Sequence, residues 1–264
     1  MDGLAQVKPP HVVAYVEMLG LPKPEGDGLS KPSVKQHLAA LRMLFDWLVV
    51  GHVLNSNPAH AVRGPKYSQK KGKTPVLNRE EARSLIAAID TSSLTGLRDR
   101  SLIGIMIYTF ARVGAVLQMD VGDYFSQGQG GWVRLPEKGG KEYEAPCVPK
   151  LEAYLDEYIA AARTAGEKEA PLFCTTGRST GKTHRMTQQG AYRMIRRYAK
   201  EAGIKARVGN HSMRATGITD YLKSKGSSLS EAHKMANHAD TRTTQLYDRR
   251  ADVASLDEYA KVGI

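Results

Sequence analysis

Apolar residues recur at helical spacing through most of this 264-residue chain, and the pattern turns to strict alternation in one short region. Pro9-Pro10 preset the backbone for a helix over His11–Leu19. A stronger helix is expected over Ser33–Val50, where Leu38, Leu41, Leu44, Phe45 and Leu48 recur at helical intervals and Gly51 is the stop. Asn78 with Glu81 three residues later has the form of a capping box opening a helix through Ile89. Leu97–Phe110 is apolar on most sides, which predicts a buried central helix. Between Tyr124 and Pro149 the pattern alternates, with Gly-Gly punctuation, and predicts two or three short antiparallel strands. Helices are expected again over Leu151–Arg163 and Thr187–Ala199, from His211 through Leu222, and over Leu229–Ala236, with Tyr247 on a further short one. Ala251–Val262 lines up Val253, Leu256 and Ala260 on one side of a last helix. The predicted fold class is mainly α with a small antiparallel β-sheet. A small helical domain at residues 1–63 leads through a linker at 64–76, poor in apolar residues, to a larger mixed α/β domain at 77–264.

Charge changes that picture from a generic helical protein to one with a polyanionic partner. The formal net charge is +11, from 38 Lys plus Arg against 27 acids. The surplus is local: Arg178–Arg214 holds ten Lys or Arg and one acid, and Arg63–Lys73 holds five and none. Outside these two segments acids outnumber bases, so the chain carries two basic contact surfaces rather than a uniformly basic skin, as DNA binding requires. Lys66, Lys70, Lys71 and Lys73 in the linker are candidates to lie along a DNA backbone. Arg193, Arg196 and Arg197, spaced by three and four on one broad helical face with Lys200, are candidates for phosphate contacts in a major groove.

Other chemistries find no support. Two cysteines, Cys147 and Cys174, make no disulfide framework or metal-ligand spacing, and the eight histidines form no zinc pattern. No phosphate-binding loop for a nucleotide triphosphate occurs. No signal peptide or run of 18 apolar residues is present, so a soluble protein of a reducing compartment, the cytoplasm, is expected.

The stretch His211–Tyr247 is the chemically richest. His211 and Arg214 are three apart, so on a helix they share a face, and an imidazole beside a guanidinium suits a phosphate. A tyrosine near a phosphate can act as a nucleophile. Upstream, Arg112 follows the buried helix closely enough to need an anionic partner, either a bound anion or an internal carboxylate. Lys138 and Lys141 flank a Gly-rich turn from which a lysine can reach a phosphate or donate a proton.

These residues resemble the tyrosine recombinase (phage integrase) family. His211-x-x-Arg214 matches its second motif, and His238 precedes Tyr247 by the family's nine positions, with Thr243-Thr244 also fitting. The helical segment with its Asn57-Pro58 exit is similar to the family's core-binding domain, short by one helix at its beginning. Two departures stand out: Asn237 replaces the usual Gly before His238, and Ala115 stands where many members have an acid, three residues after the first catalytic Arg.

The resemblance implies a site-specific DNA recombinase that works through a 3′-phosphotyrosyl intermediate without cofactor or metal. Its catalytic residues would be Arg112, Lys138, His211, Arg214, His238 and Tyr247, with Lys138 favoured over Lys141 by register. In this scheme the two arginines hold the non-bridging oxygens, His211 takes the tyrosine proton, Lys138 protonates the leaving 5′ oxygen, and His238 hydrogen-bonds a phosphate oxygen. The implied partners are double-stranded DNA recombination sites and three further copies of the chain in a homotetramer, with the last helix docking on a neighbour. A type IB topoisomerase-like relaxation activity, or a DNA-binding relative that no longer cleaves, are the alternatives.

Overall fold

The computed structural model describes residues 3–67, 72–137, 140–162, 166–175, 184–238 and 240–248. It divides into two compact units, residues 1–69 and 70–264.

The first unit is helical. Helix α1 spans Pro9–Gly20 and α2 spans Lys31–Val50. Both start with Pro in the first turn, where the missing N–H leaves no bond unmade. Val12, Val16 and Leu19 of α1 pack against Val34, Leu38, Phe45 and Leu48 of α2, and Ala59 and Val62 close the cluster. Arg42 donates to the carbonyls of Ala59 and Val62, which ties the exit segment to α2. Leu44 does not join this core. It lies on the outer face of α2 with Met43, Trp47 and Val50, the last three 70% or more exposed.

In the second unit, α3 (Arg79–Ala87) opens on the expected capping box: Asn78 accepts from the Glu81 amide while the Glu81 side chain accepts from the Asn78 amide. Helix α4 (Leu94–Tyr108) starts three residues earlier than the periodicity predicts, because Ser93 caps it by accepting from the Gly96 amide. It also ends before Phe110, which adopts a left-handed φ of 56°. A helix of six residues, α5 (Val113–Gln118), follows; it is too short for periodicity to reveal. Three antiparallel strands come next, β1 (Tyr124–Gln127), β2 (Gly130–Glu137) and β3 (Lys141–Pro146), in the order β1-β2-β3. Val133 pairs with Ala145 and Glu137 with Lys141.

Helix α6 (Pro149–Ala162), α7 (Gln188–Glu201, capped by Thr187), α8 (Asn210–Lys223), α9 (Leu229–Met235) and α10 (Thr241–Gln245) complete the unit. Tyr247 lies two residues beyond α10, not on a helix as expected, with its amide donating to the Thr244 carbonyl. Leu172 and Phe173 are buried. The main core gathers α3–α7 against the sheet around Leu102, Ile105, Met106, Val116, Leu155 and Ile195. A smaller cluster, Phe110, Ile218, Leu222, Ala232 and Ala236, joins α8 to α9, and Tyr247 packs on its edge. The helix expected over Ala251–Val262 lies outside the described residues.

Candidate active site

The frame of the site is two bends in the backbone. The first is Phe110, whose positive φ turns the chain out of α4 so that its carbonyl faces α8. The second is the end of α9. The His238 amide donates to the His233 carbonyl and the Asn237 amide to that of Lys234, the paired bonds of a Schellman motif, with Asn237 in the left-handed region at φ 44°. Asn is the residue after Gly that tolerates this conformation best, so its presence in place of the family's Gly keeps the turn.

Arg214, on α8, is 3% exposed and bridges the two bends, donating to the Phe110 carbonyl and, at 2.6 Å, to the Ala236 carbonyl. Arg112 is the N-cap residue of α5. Its Nη1 donates to both carboxylate oxygens of Glu137, at 2.7 and 2.9 Å, and its Nη2 reaches the Asn237 carbonyl at 3.4 Å. Burial pulls the Arg214 pKa down to about 10, and the nearby Arg112 charge adds to this. The hydrogen-bonded phenol of Tyr247 and the Glu137 carboxylate oppose the fall, so Arg214 stays a cation at neutral pH.

His238 is also buried, and its pKa falls to about 3 through burial and the facing charges of Arg214, Arg112 and His233. It is therefore neutral, with one donor and one acceptor nitrogen. Its Nδ1 lies 2.7 Å from the Thr244 hydroxyl, which is itself 3.3 Å from Nδ1 of His233. One hydroxyl has one proton to give. In one arrangement that satisfies both contacts, His233 donates to Thr244 and Thr244 donates to His238, which leaves the proton of His238 on Nε2; reversing both donors satisfies them equally. The Tyr247 ring lies parallel to that of His238, 8° between planes and 5.8 Å between centroids. The Thr219 hydroxyl donates to the Tyr247 carbonyl, and the Gly72 amide donates to that of Leu246, which fixes the backbone on both sides.

Arg112, Arg214, His238 and Tyr247 are thus brought together. His211, three residues before Arg214 in the first turn of α8, is exposed while Arg214 is buried. Lys138 lies outside the described residues, as does the side chain of Lys141, whose backbone pairs with Glu137.

Among the basic candidates, Lys66 and Lys73 are exposed, and Lys70 and Lys71 fall outside the described residues. On α7, Arg193 is exposed with no hydrogen bond or ion pair among the described residues, whereas Arg196 donates to the Ala206 carbonyl. Arg197 pairs with the buried Asp99 at 3.4 Å and stacks on Tyr198. The sequence analysis missed Glu137, Phe110 and His233. Glu137 had a signal, being the acid directly before Lys138 on the hairpin.

Among the described residues no group of three or more His, Cys, Asp or Glu side chains is gathered as for a metal ion, and no helix is long and apolar enough to cross a membrane.

The phage integrase family model matches residues 75–253. The tyrosine recombinase XerD of Listeria innocua serovar 6a is 28% identical over 236 residues, covering 88% of this chain and 76% of the relative. That of Listeria monocytogenes serovar 1/2a is 27% identical over 98% of this chain and 86% of the relative. Among solved structures, XerH site-specific recombinase in a post-cleavage complex with its difH substrate superposes with a TM-score of 0.74 at 21% identity, covering 99% of this chain and 74% of that one. The fold is the one these recombinases share, a helical core-binding domain followed by a mainly helical catalytic domain with a small antiparallel sheet. The chain belongs to the phage integrase family: it is a tyrosine recombinase, an enzyme that cleaves and rejoins DNA site-specifically.

Proposed function

We propose that Tyr247 is the nucleophile of this recombinase and that Arg112, Lys138, His211, Arg214 and His238 complete its active site. The phenolic oxygen attacks the scissile phosphorus, the bond to the 5′ oxygen breaks, and a 3′-phosphotyrosyl link retains the energy of the phosphodiester. The proton of Tyr247 passes to a base, for which His211 is the candidate once DNA orders the surface around it. The leaving 5′ oxygen takes a proton from Lys138. Attack by another strand's 5′-hydroxyl on the phosphotyrosine reverses these transfers and frees Tyr247, so neither metal nor triphosphate is consumed.

The observation that carries the reading is the contact of Tyr247 with two groups suited to phosphate: the buried guanidinium of Arg214 and the neutral ring of His238. Fixed donors aimed at developing charge stabilise the pentavalent phosphate without reorganising. Arg214 and Arg112 would hold the two non-bridging oxygens, and His238 would donate from Nε2. In the assembled state four copies act on two DNA sites in the cytoplasm, on the nucleoid, with residues 1–63 and 77–264 as the two DNA-clasping domains, residues 64–76 as the basic linker between them, and the last helix of each copy docked on its neighbour.

The test is a nicked suicide duplex, taken first from the flanks of the coding region, resolved on denaturing gels. A covalent protein–DNA band present in the wild type and absent in Tyr247→Phe is expected. A band of equal intensity in Tyr247→Phe would overturn the assignment.

A further inference from the structure

We propose that Glu137 is the residue that positions Arg112 for the phosphate, in the role left open by Ala115; the proposal rests on the reading of Arg112 as a phosphate ligand. Ala115 offers Arg112 no carboxylate; it is 7% exposed and lies in the main apolar core with Val113, Val116 and Leu117. The carboxylate comes instead from another element, at the end of β2.

The geometry fits positioning. Both Glu137 oxygens accept from one nitrogen of Arg112, at 2.7 and 2.9 Å, and the Glu137 side chain is 16% exposed against 41% for that of Arg112, so the carboxylate is the anchored partner and the guanidinium faces outward in part. With Nη1 engaged, the guanidinium cannot spin about its stem, and the rest of its donor edge is held in one orientation. Among the described residues Nη2 meets only a long contact to the Asn237 carbonyl, 3.4 Å, which leaves it open to a better acceptor. Glu137 also acts on the second arginine, raising the Arg214 pKa against the depression that burial and Arg112 cause. One carboxylate therefore faces two neighbouring cations before any phosphate arrives, and two arginines at such range would otherwise repel.

This predicts a particular split between binding and chemistry. Neutralising Glu137 removes a negative charge that the DNA phosphate also meets, so affinity for uncleaved DNA should hold or improve. Orientation of Arg112 should be lost, and the rate of strand cleavage should fall.

The experiment measures single-turnover cleavage of the nicked duplex that the wild type cleaves, with binding to the same duplex measured in a Tyr247→Phe background. Glu137→Gln is expected to slow cleavage about 10- to 100-fold, as losing a charge-assisted hydrogen bond implies. Affinity should stay within about twofold or tighten, and Glu137→Asp should recover part of the rate. In an Arg112→Ala background, Glu137→Gln should add less than about twofold, since the two act as one unit.

Cleavage by Glu137→Gln at the wild-type rate overturns the proposal. So does a parallel loss of cleavage, affinity and melting temperature that Glu137→Asp does not relieve, since that marks a fold-stabilising residue. If Arg112→Ala cleaves like the wild type, the reading of Arg112 itself has failed, which the same gels show separately.

Discussion

Thr244→Val isolates the hydroxyl that joins the two histidines. Valine has the same shape, so the packing of a side chain with no exposed surface is kept and only the hydroxyl is lost. Two contacts go with it, at 2.7 Å to His238 and 3.3 Å to His233. The first matters more. His238 is buried and neutral, and its Nδ1 would be left without a partner, which costs about 1–3 kcal/mol. The longer contact to the half-buried His233 adds about 0.5 kcal/mol, and a net loss of roughly 2 kcal/mol is expected. The backbone of Tyr247 should stay in place, because its amide bonds to the Thr244 carbonyl and not to the side chain. Cleavage should nevertheless fall about 10-fold or more, since the hydrogen bond that holds the His238 ring is lost. Urea unfolding and single-turnover cleavage measure the two effects, and Thr244→Ser is the control. It loses one methyl, about 0.8 kcal/mol, and should cleave normally. A Thr244→Val enzyme within 0.5 kcal/mol of wild type and within twofold in cleavage, the usual scatter of a neutral substitution, would refute the account of the hydroxyl.

Arg214→Lys should lose at least about 1–3 kcal/mol and cleave about 100-fold more slowly, because one ammonium cannot serve the Phe110 and Ala236 carbonyls together; unfolding curves and suicide-substrate gels read the two losses. His238 imposes a pH dependence on stability: its folded pKa, about 3, lies below the ordinary 6.5, so as pH falls below 6.5 the unfolded chain takes up a proton that the folded chain excludes. Folding should weaken by about 1.4 kcal/mol per unit, roughly 2 kcal/mol between pH 6.5 and 5, and urea titrations at both pH values should show this excess loss in the wild type and not in His238→Gln. Arg193→Ala should weaken DNA binding and lower the slope of log affinity against log salt by about 0.9 without altering the melting temperature. Arg197→Ala should lower the melting temperature as well, since Arg197 is bonded to Asp99.

The parts of this molecule legible in the sequence are those encoded locally or in fixed order. The capping box at Asn78 needs only residues within one helical turn, and the structure keeps it. The spacing of His238 and Tyr247 needs only a tight helix end and a short helix, and it brings the two rings into a parallel stack. What local pattern leaves out is the burial of individual side chains and contacts between distant segments. His211 and Arg214 both lie near the start of α8, yet one is exposed and the other buried, which helical spacing alone does not give. Glu137 meets Arg112 across 25 residues of intervening chain, and Asp99 draws in Arg197 across 98. The departure at Asn237 was legible in physical terms, because a left-handed position accepts Asn; that at Ala115 was not, because its replacement lies on a different element.

The two backbone distortions of the catalytic unit belong with these arginines. Among its described residues, the non-glycine residues at positive φ are Phe110 and Asn237, and each gives its carbonyl to one of the two guanidinium groups proposed to bind phosphate. For Phe110, a large residue, the left-handed conformation costs about 1–2 kcal/mol, which persists only where the surroundings over-determine it. Here they do. The ring is 3% exposed and packs edge-on against Tyr221, and Gly217 on α8 leaves room for it: a Cβ there would sit 2.0 Å from the Ile107 carbonyl and 2.9 Å from the Phe110 ring. The consequence is electrostatic. A buried arginine held by neutral carbonyls, as Arg214 is, keeps its charge but has that charge only partly compensated, whereas a carboxylate in their place would neutralise it. Such a cation gains most when an anion enters. The bends therefore hold Arg214 ready for a phosphate, while Glu137 steadies Arg112 from the side, so that the two arginines are oriented by different devices suited to their different burial.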